Sequence, residues 1–268
     1  MEKNNNELYL LIAKLDWQLN MGVEAMVEEK HNNYSNIGNV KTNDEGFLKL
    51  DTTQKIENSY LQEKKANQNN TLQQGIDKCL TLEDLKNYML DFNGCDLKKT
   101  ATQMVFSDGN PKSKVMIIGE APGAEEDRQG KPFCGVSGTL LDKMLASINL
   151  DRTSVYITNV IPWRPPGNRT PTENEINLMK PFLMRHIEIV TPKILVAVGG
   201  SASKAILDIE GGILRHRGVW KEIRFSNLLA IPIIATLHPA YLLRAPNQKK
   251  LAWEDLKSIR SKLEQLND

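Results

Sequence analysis

Residues with chemistry to offer gather in three stretches of this chain: GEAPG at 119–123, Asn159 with RPPGNRTP at 164–171, and HPAYLLR at 238–244. In the first, small residues let backbone N–H groups come close to a ligand, and Glu125, Glu126 and Asp127 follow. It reads as a ligand loop or as a tight turn. Its spacing fits neither the dinucleotide nor the nucleotide-triphosphate loop, and carboxylates would repel a phosphate. Just beyond, Phe133 sits in GKPFCG, where its ring is either core or a stacking platform for a flat ligand. Such stacking contributes about 1–3 kcal/mol per base. Asn159 either caps a strand end or offers a base edge a donor and an acceptor. Arg164 and Arg169 either grip phosphates or decorate a solvated turn. His238 is held extended by the proline after it, and a lone histidine is more often structural than catalytic. Tyr241, Leu242, Leu243 and Arg244 form an apolar tip with a cation beside it, suited to a wedge in a base stack. Singly these signals are weak. Together they describe a pocket with a stacker, an amide, a histidine and a carboxylate, rimmed by arginines and a wedge.

The elements that must bring them together are legible as apolar runs. VMIIG (115–119), VYITNV (155–160), ILVAVGG (194–200) and IPIIATLH (231–238) predict buried strands. Amphipathic helices are expected at about 137–149, 172–190, 201–208 and 248–265, with Ser201 capping the third. Alternation of this kind implies a parallel sheet covered on both faces. The expected fold class is α/β, a three-layer α/β/α sandwich around a mainly parallel four-stranded sheet. Ligands in such sheets bind at the carboxyl ends of the strands. Three of these four strands end in the loops named above, so loops distant in sequence must converge.

The rest of the chain frames that domain. Residues 1–30 predict an N-terminal helical segment, bent near Gly22. Residues 31–78, rich in Asn, Gln, Lys and Ser, predict a low-complexity, disordered linker, because so few apolar residues cannot offset chain entropy. The α/β domain is expected over 79–268, opening on a helix capped by Thr81. Of the 268 residues 40% are hydrophobic, and the net charge of +1 divides into −4 over 1–99 and +5 over 100–268. The basic second part permits a polyanionic partner without demanding one. The 3 cysteines, Cys79, Cys95 and Cys134, cannot form a paired disulfide framework, and reduced thiols of a cytosolic protein are expected. No secretory leader is read at the N-terminus. The uncharged window 225–243 is broken by prolines and polar residues, so it reads as a strand and loop, not a membrane span.

GEAPGAEEDRQGKPFCG, TNVIPWRPPGNRTP and HPAYLLR, in this order, closely resemble the motifs of the uracil-DNA glycosylase superfamily, specifically family 4. The resemblance spans about residues 95–263. It implies an enzyme of base excision repair that flips deoxyuridine out of DNA and hydrolyses its N-glycosidic bond, leaving an abasic site. By resemblance, Glu120 and His238 are catalytic, and Glu120, Ala121, Phe133, Asn159 and His238 bind uracil. Glu126 matches the position that crowds the 5-methyl of thymine. Arg164, Arg169, Leu242, Leu243 and Arg244 would contact DNA, the leucines filling the space left by the flipped nucleotide. In the best-known relatives an aspartate in the slot of Ala121 positions the attacking water; here Glu120 is the leading candidate. The implied partner is uracil-containing DNA, double- or single-stranded, met by a cytoplasmic monomer of bacterial type at the nucleoid, with no membrane.

Family 4 members typically hold a [4Fe–4S] cluster on four cysteines. Here Cys95 alone matches a ligand position; Phe92, Trp163 and Met179 stand at the other three. One thiolate cannot hold a cubane, so no cofactor and no metal are expected, the three side chains packing in its place. Three other readings stay open: a glycosylase for other deaminated bases, a non-catalytic DNA-binding homologue, and a phosphate-handling enzyme built on GEAPG.

Overall fold

The four apolar runs become the parallel centre of a sheet. In this computed structural model, which describes residues 71–225 and 228–266, they are β2 (Val115–Gly119), β3 (Val155–Asn159), β4 (Ile194–Val198) and β6 (Leu228–Thr236). The sheet has six strands in the order β1-β3-β2-β4-β6-β5. β2 pairs in parallel with β3 and β4, and β4 with β6. The two additional strands, β1 (Asp108–Gly109) and β5 (Trp220–Phe225), pair antiparallel at the edges. The expected four strands are therefore the parallel part of a wider sheet. β1 is two residues long, and β5 (WKEIRF) mixes exposed charges with apolar residues, so neither forms a buried apolar run.

Strand periodicity divides the core into two layers. Met116, Ile118, Tyr156, Leu195, Ala197 and Ile233 join one apolar cluster. Their neighbours Val115, Ile117, Val155, Ile157, Val196 and Ile234 join the other. α1 (Leu82–Asp91), α5 (Glu173–Val190) and α6 (Gly200–Leu207) supply the first layer. α4 (Val136–Ala146), α7 (Pro239–Arg244) and α8 (Lys249–Gln265) supply the second. Two short helices are α2 (Leu97–Thr100) and α3 (Ala124–Gln129). This is the three-layer α/β/α arrangement that the alternation implies.

Local chemistry sets the helix ends. Thr81 accepts the Asp84 N–H at 3.1 Å, and Asp84 returns a bond to the Thr81 N–H at 2.9 Å, a capping box. Thr172 and Glu175 build the same motif on α5. α6 starts earlier than expected. Its cap is Gly199 (φ +95°), a conformation that suits glycine, so Ser201 is not the cap.

The chain divides into two units, Met1–Tyr60 and Leu61–Asp268. The expected N-terminal helical segment and residues 31–70 of the expected linker lie outside the described residues. Residues 71–77, placed by sequence in that linker, are helical. Ile76 is the reason: fully buried, it joins the cluster that holds Leu85 and Met89. Residues 71–77 thus pack into the same core as the domain expected from residue 79.

Candidate active site

All four parallel strands point their carboxyl ends the same way. The chain moves from β2 to β3 on one side and then returns to β4 on the other, which opens a crevice at the end of β2. A cavity of about 580 Å³ lies there. Glu120, Ala121, Glu126, Phe133, Asn159 and His238 line it together, with Arg169 and Arg244. Convergence of the three loops, inferred from sequence, is met. Arg164, Leu242 and Leu243 are not part of the lining.

Gly119, the last residue of β2, sets the cavity floor. A Cβ there would lie 2.4 Å from the Asn159 Oδ1 and 2.6 Å from the Phe133 ring. Its missing side chain is the space into which amide and ring both fit. Asn159 closes β3, is 6% exposed, and hydrogen-bonds to no described residue. Sealed polar side-chain atoms among the described residues all have partners, so the Asn159 amide faces open space, and that space is the cavity. A buried amide without a protein partner is suited to reading a ligand's donors and acceptors.

Phe133 is buried and has φ +52°, a left-handed backbone that costs a non-glycine residue about 1–3 kcal/mol. Its ring lies 5.5 Å from the His238 ring at 29°, a stacked pair forming one wall. His238 caps α7: its Nδ1 accepts the Ala240 N–H at 3.1 Å. In the neutral ring the proton therefore sits on Nε2, which has no described protein partner. Burial, aided by the Arg244 charge and opposed by Glu126, pushes the ring's pKa from 6.5 down to about 4. At neutral pH His238 is an uncharged N–H donor at the cavity. Gly199 makes room for it, since a Cβ there would come within 3.1 Å of the His238 Cβ.

Glu120 and Glu126 differ in how they are held. The Glu120 side chain is half-buried and hydrogen-bonds to no described residue. Glu126 is fully engaged: Oε2 accepts the Gly123 N–H at 3.1 Å and Oε1 the Gly135 N–H at 2.9 Å. Gly123 and Gly135 are the caps of α3 and α4, so one carboxylate satisfies two helix N-termini.

The Uracil DNA glycosylase superfamily profile matches residues 106–257, which contain every one of these cavity residues. The chain belongs to that superfamily. The type-4 uracil-DNA glycosylase of Sulfurisphaera tokodaii is 40% identical over 188 residues, 67% of this chain and 84% of that protein. That of Archaeoglobus fulgidus is 39% identical over 184 residues, 67% of this chain and 92% of the relative. That of Thermotoga maritima is 34% identical over 177 residues, covering 62% and 86%.

In this glycosylase-superfamily chain the positions expected to hold a cluster pack as core. Trp163, Met179 and Cys95 are buried in one apolar cluster, with Phe92 packed against it and its ring 5.1 Å from that of Phe182. Burial pushes the Cys95 thiol above its ordinary pKa. No metal-holding group of His, Cys, Asp or Glu occurs among the described residues. The residues present do not fit a [4Fe–4S] cluster.

The superfamily member's rim corrects part of the sequence reading. His238 is extended as expected, but the loop after it is helical over Pro239–Arg244, with a proline at the first helical position and His238 as the cap. The helix turns Leu242 inward, 1% exposed, and leaves Leu243 outside at 43%. Leu242 is core, and a wedge at this tip can be formed by Leu243 alone of the two. Arg169 forms a double ion pair with Glu175, at 2.9 and 2.6 Å, and Arg164 donates to the Asn168 Oδ1 at 2.7 Å. Arg244 has no ion-pair partner among the described residues. One residue that sequence reasoning passed over, Arg152, donates to the carbonyl oxygens of Pro132 and Phe133. It lies in the polar stretch LDRTS, with no motif to mark it.

Proposed function

We propose that this protein is a uracil-excising DNA repair glycosylase: it hydrolyses the N-glycosidic bond of deoxyuridine in DNA and leaves an abasic site. The observation that carries this reading is one cavity holding a stacking ring, an unpartnered amide, a neutral histidine and an unpaired carboxylate. A base within a duplex is out of reach, so the nucleotide is everted, at a cost of a few kcal/mol. Its pyrimidine stacks on Phe133, and the Asn159 amide pairs with the edge that separates uracil from cytosine. The bond from C1′ to N1 breaks, its electron pair leaves with the base, and charge grows on the uracil oxygens. The Nε2–H of His238 and backbone groups near Ala121 stabilise that anion without rearranging. Water adds to C1′ of the oxocarbenium sugar, oriented by Glu120, and its proton leaves to solvent.

Glu126 narrows the pocket against the thymine methyl by shape, since both its oxygens are engaged within the protein. Arg244 meets phosphates, and Leu243 fills the gap left by the everted nucleotide. Arg169 and Arg164 join the DNA contact by exchanging Glu175 and Asn168 for phosphate. This electrostatic part weakens as salt rises. In this reading it acts as a monomer in the cytoplasm. Among the described residues no helix is long and apolar enough to cross a membrane.

The test is direct. Purified protein is incubated with oligonucleotides carrying one uracil, thymine, hypoxanthine or xanthine, and abasic sites are cleaved with alkali. A break at uracil and none at thymine is expected, in duplex or single strands. Intact uracil strands overturn the reading. Breaks confined to hypoxanthine or xanthine replace it with the broader deaminated-base enzyme.

A further inference from the structure

We infer that Arg152 is a positioning residue for the base-stacking ring: its guanidinium holds the strained backbone of Phe133 in the one conformation that delivers the ring to the pocket. The inference rests on the glycosylase reading, since it assigns a task within that site. Arg152 lies outside the cavity, at the start of the turn before β3, with its side chain mostly covered. One face is anchored: Nη1 donates to the Asp108 carboxylate at 2.7 Å and Nε to the Asp142 carboxylate at 2.9 Å. The other face grips the loop: Nη1 donates to the Pro132 carbonyl at 3.2 Å and Nη2 to the Phe133 carbonyl.

Three observations give these contacts a purpose. Phe133 has φ +52°, so its backbone leaves that state unless its surroundings hold it. Gly138 faces the same carbonyl from α4; a Cβ there would fall 1.6 Å from the Phe133 oxygen. That oxygen is thus seated between an arginine that pulls it and a glycine that makes room for it. At the other end of the residue, the ring fills the space above Gly119 and stacks on His238. A planar fork can span two successive carbonyls while bonding two carboxylates, which an ammonium cannot do. Arg152 therefore links an edge strand (Asp108) and a helix (Asp142) to the pocket wall, and the ring's placement depends on it.

The test compares the full-length wild type with R152Q, F133A and R152Q/F133A on uracil-containing single-stranded DNA. R152Q is expected to lower kcat/KM about tenfold or more, the scale of a misplaced stacking contact. The double variant is expected to be no slower than F133A, because the ring that Arg152 aims is gone. Losses that multiply in the double variant overturn the inference. R152K guards against a folding defect: it should keep most of the thermal stability yet stay well below wild type in rate, and wild-type rate in R152K overturns the assignment. A readout without turnover is the ring-proton NMR shift of His238, which feels the Phe133 ring current at 5.5 Å. In R152Q that shift should move toward its F133A value; an unmoved shift refutes the role. If wild type excises no uracil, the proposed function fails, and the NMR comparison still decides what Arg152 does.

Discussion

His238 and Ala240 are joined by a hydrogen bond whose direction decides the chemistry of the ring: the backbone N–H of Ala240 donates to Nδ1 at 3.1 Å. A ring that accepts there must be neutral, and it carries its proton on Nε2. The same contact caps α7, so the ring's tautomer and the helix that carries Leu243 are set by one bond.

The first prediction concerns pH. The His238 pKa is lowered from 6.5 to about 4, chiefly by burial, so between those values the unfolded chain binds a proton that the folded chain refuses. Stability from the neutral ring is complete above about pH 6.5 and is lost as pH falls toward 4. Buried His186, pushed down to about 3, adds to the same trend. Denaturant melts from pH 4 to 8 should show the midpoint falling on the acid side, less steeply in His238→Gln. Excision should be independent of His238 titration above about pH 5, and His238→Ala should lose about 10²–10³-fold in rate, as for other anion-stabilising donors. An activity step near pH 6.5 that vanishes in His238→Gln would show that the charged ring acts instead.

Glu120→Gln separates electrostatics from shape. The half-buried carboxylate has no described partner, so its amide fits the same space. Single-turnover excision should fall strongly, while binding to an abasic duplex stays near wild type. Full activity in this variant rejects the role of Glu120.

Gly119→Ala should cripple the pocket without removing any polar group. The new methyl meets the Asn159 Oδ1 at 2.4 Å and the Phe133 ring at 2.6 Å, and both must move. Excision should drop by about two orders of magnitude, a loss ordinary for a 1 Å misplacement. Wild-type kcat/KM here would mean that the close approach of ring and amide is unimportant.

Two adjacent leucines should respond oppositely. Leu242→Ala leaves a cavity in the core and should cost about 2–5 kcal/mol of stability. Leu243→Ala should leave the melt unchanged and weaken productive engagement of duplex uracil, with less effect on single strands. Chemical denaturation and single-turnover rates on both substrates distinguish them. Equal stability losses would refute the helical orientation.

Iron analysis tests the packing of Phe92, Trp163 and Met179. Protein purified anaerobically should contain no stoichiometric iron, and Trp163→Ala should cost about 3–5 kcal/mol, as a large core side chain does. Four iron atoms per chain would overturn this account.

How far the sequence reached follows from what each residue shows locally. β2, β3, β4 and β6 read as apolar runs, and the shared direction they imply is enough to bring Glu120, Asn159 and His238 together. β1 is too short to have a period. Leu242 reads as surface because HPAYLLR carries an apolar tip; the His238 cap that winds it into a helix appears only in three dimensions. Arg169 reads as a free cation until Glu175, six residues on, is seen to reach back to it. Arg152 shows no signal at all, because its task lies in carbonyl groups, which every residue has.

Glu126 has a consequence for how this enzyme can change. A carboxylate that closes two helix ends is part of the framework, so if Glu126 crowds the base as proposed, enlarging the pocket there would unfasten the loops bearing Ala121 and Phe133 together. Tolerance for bulkier bases must then be sought at a neighbour free of such duties, and Ser137, which faces the cavity, is where an evolving lineage or an engineer has latitude.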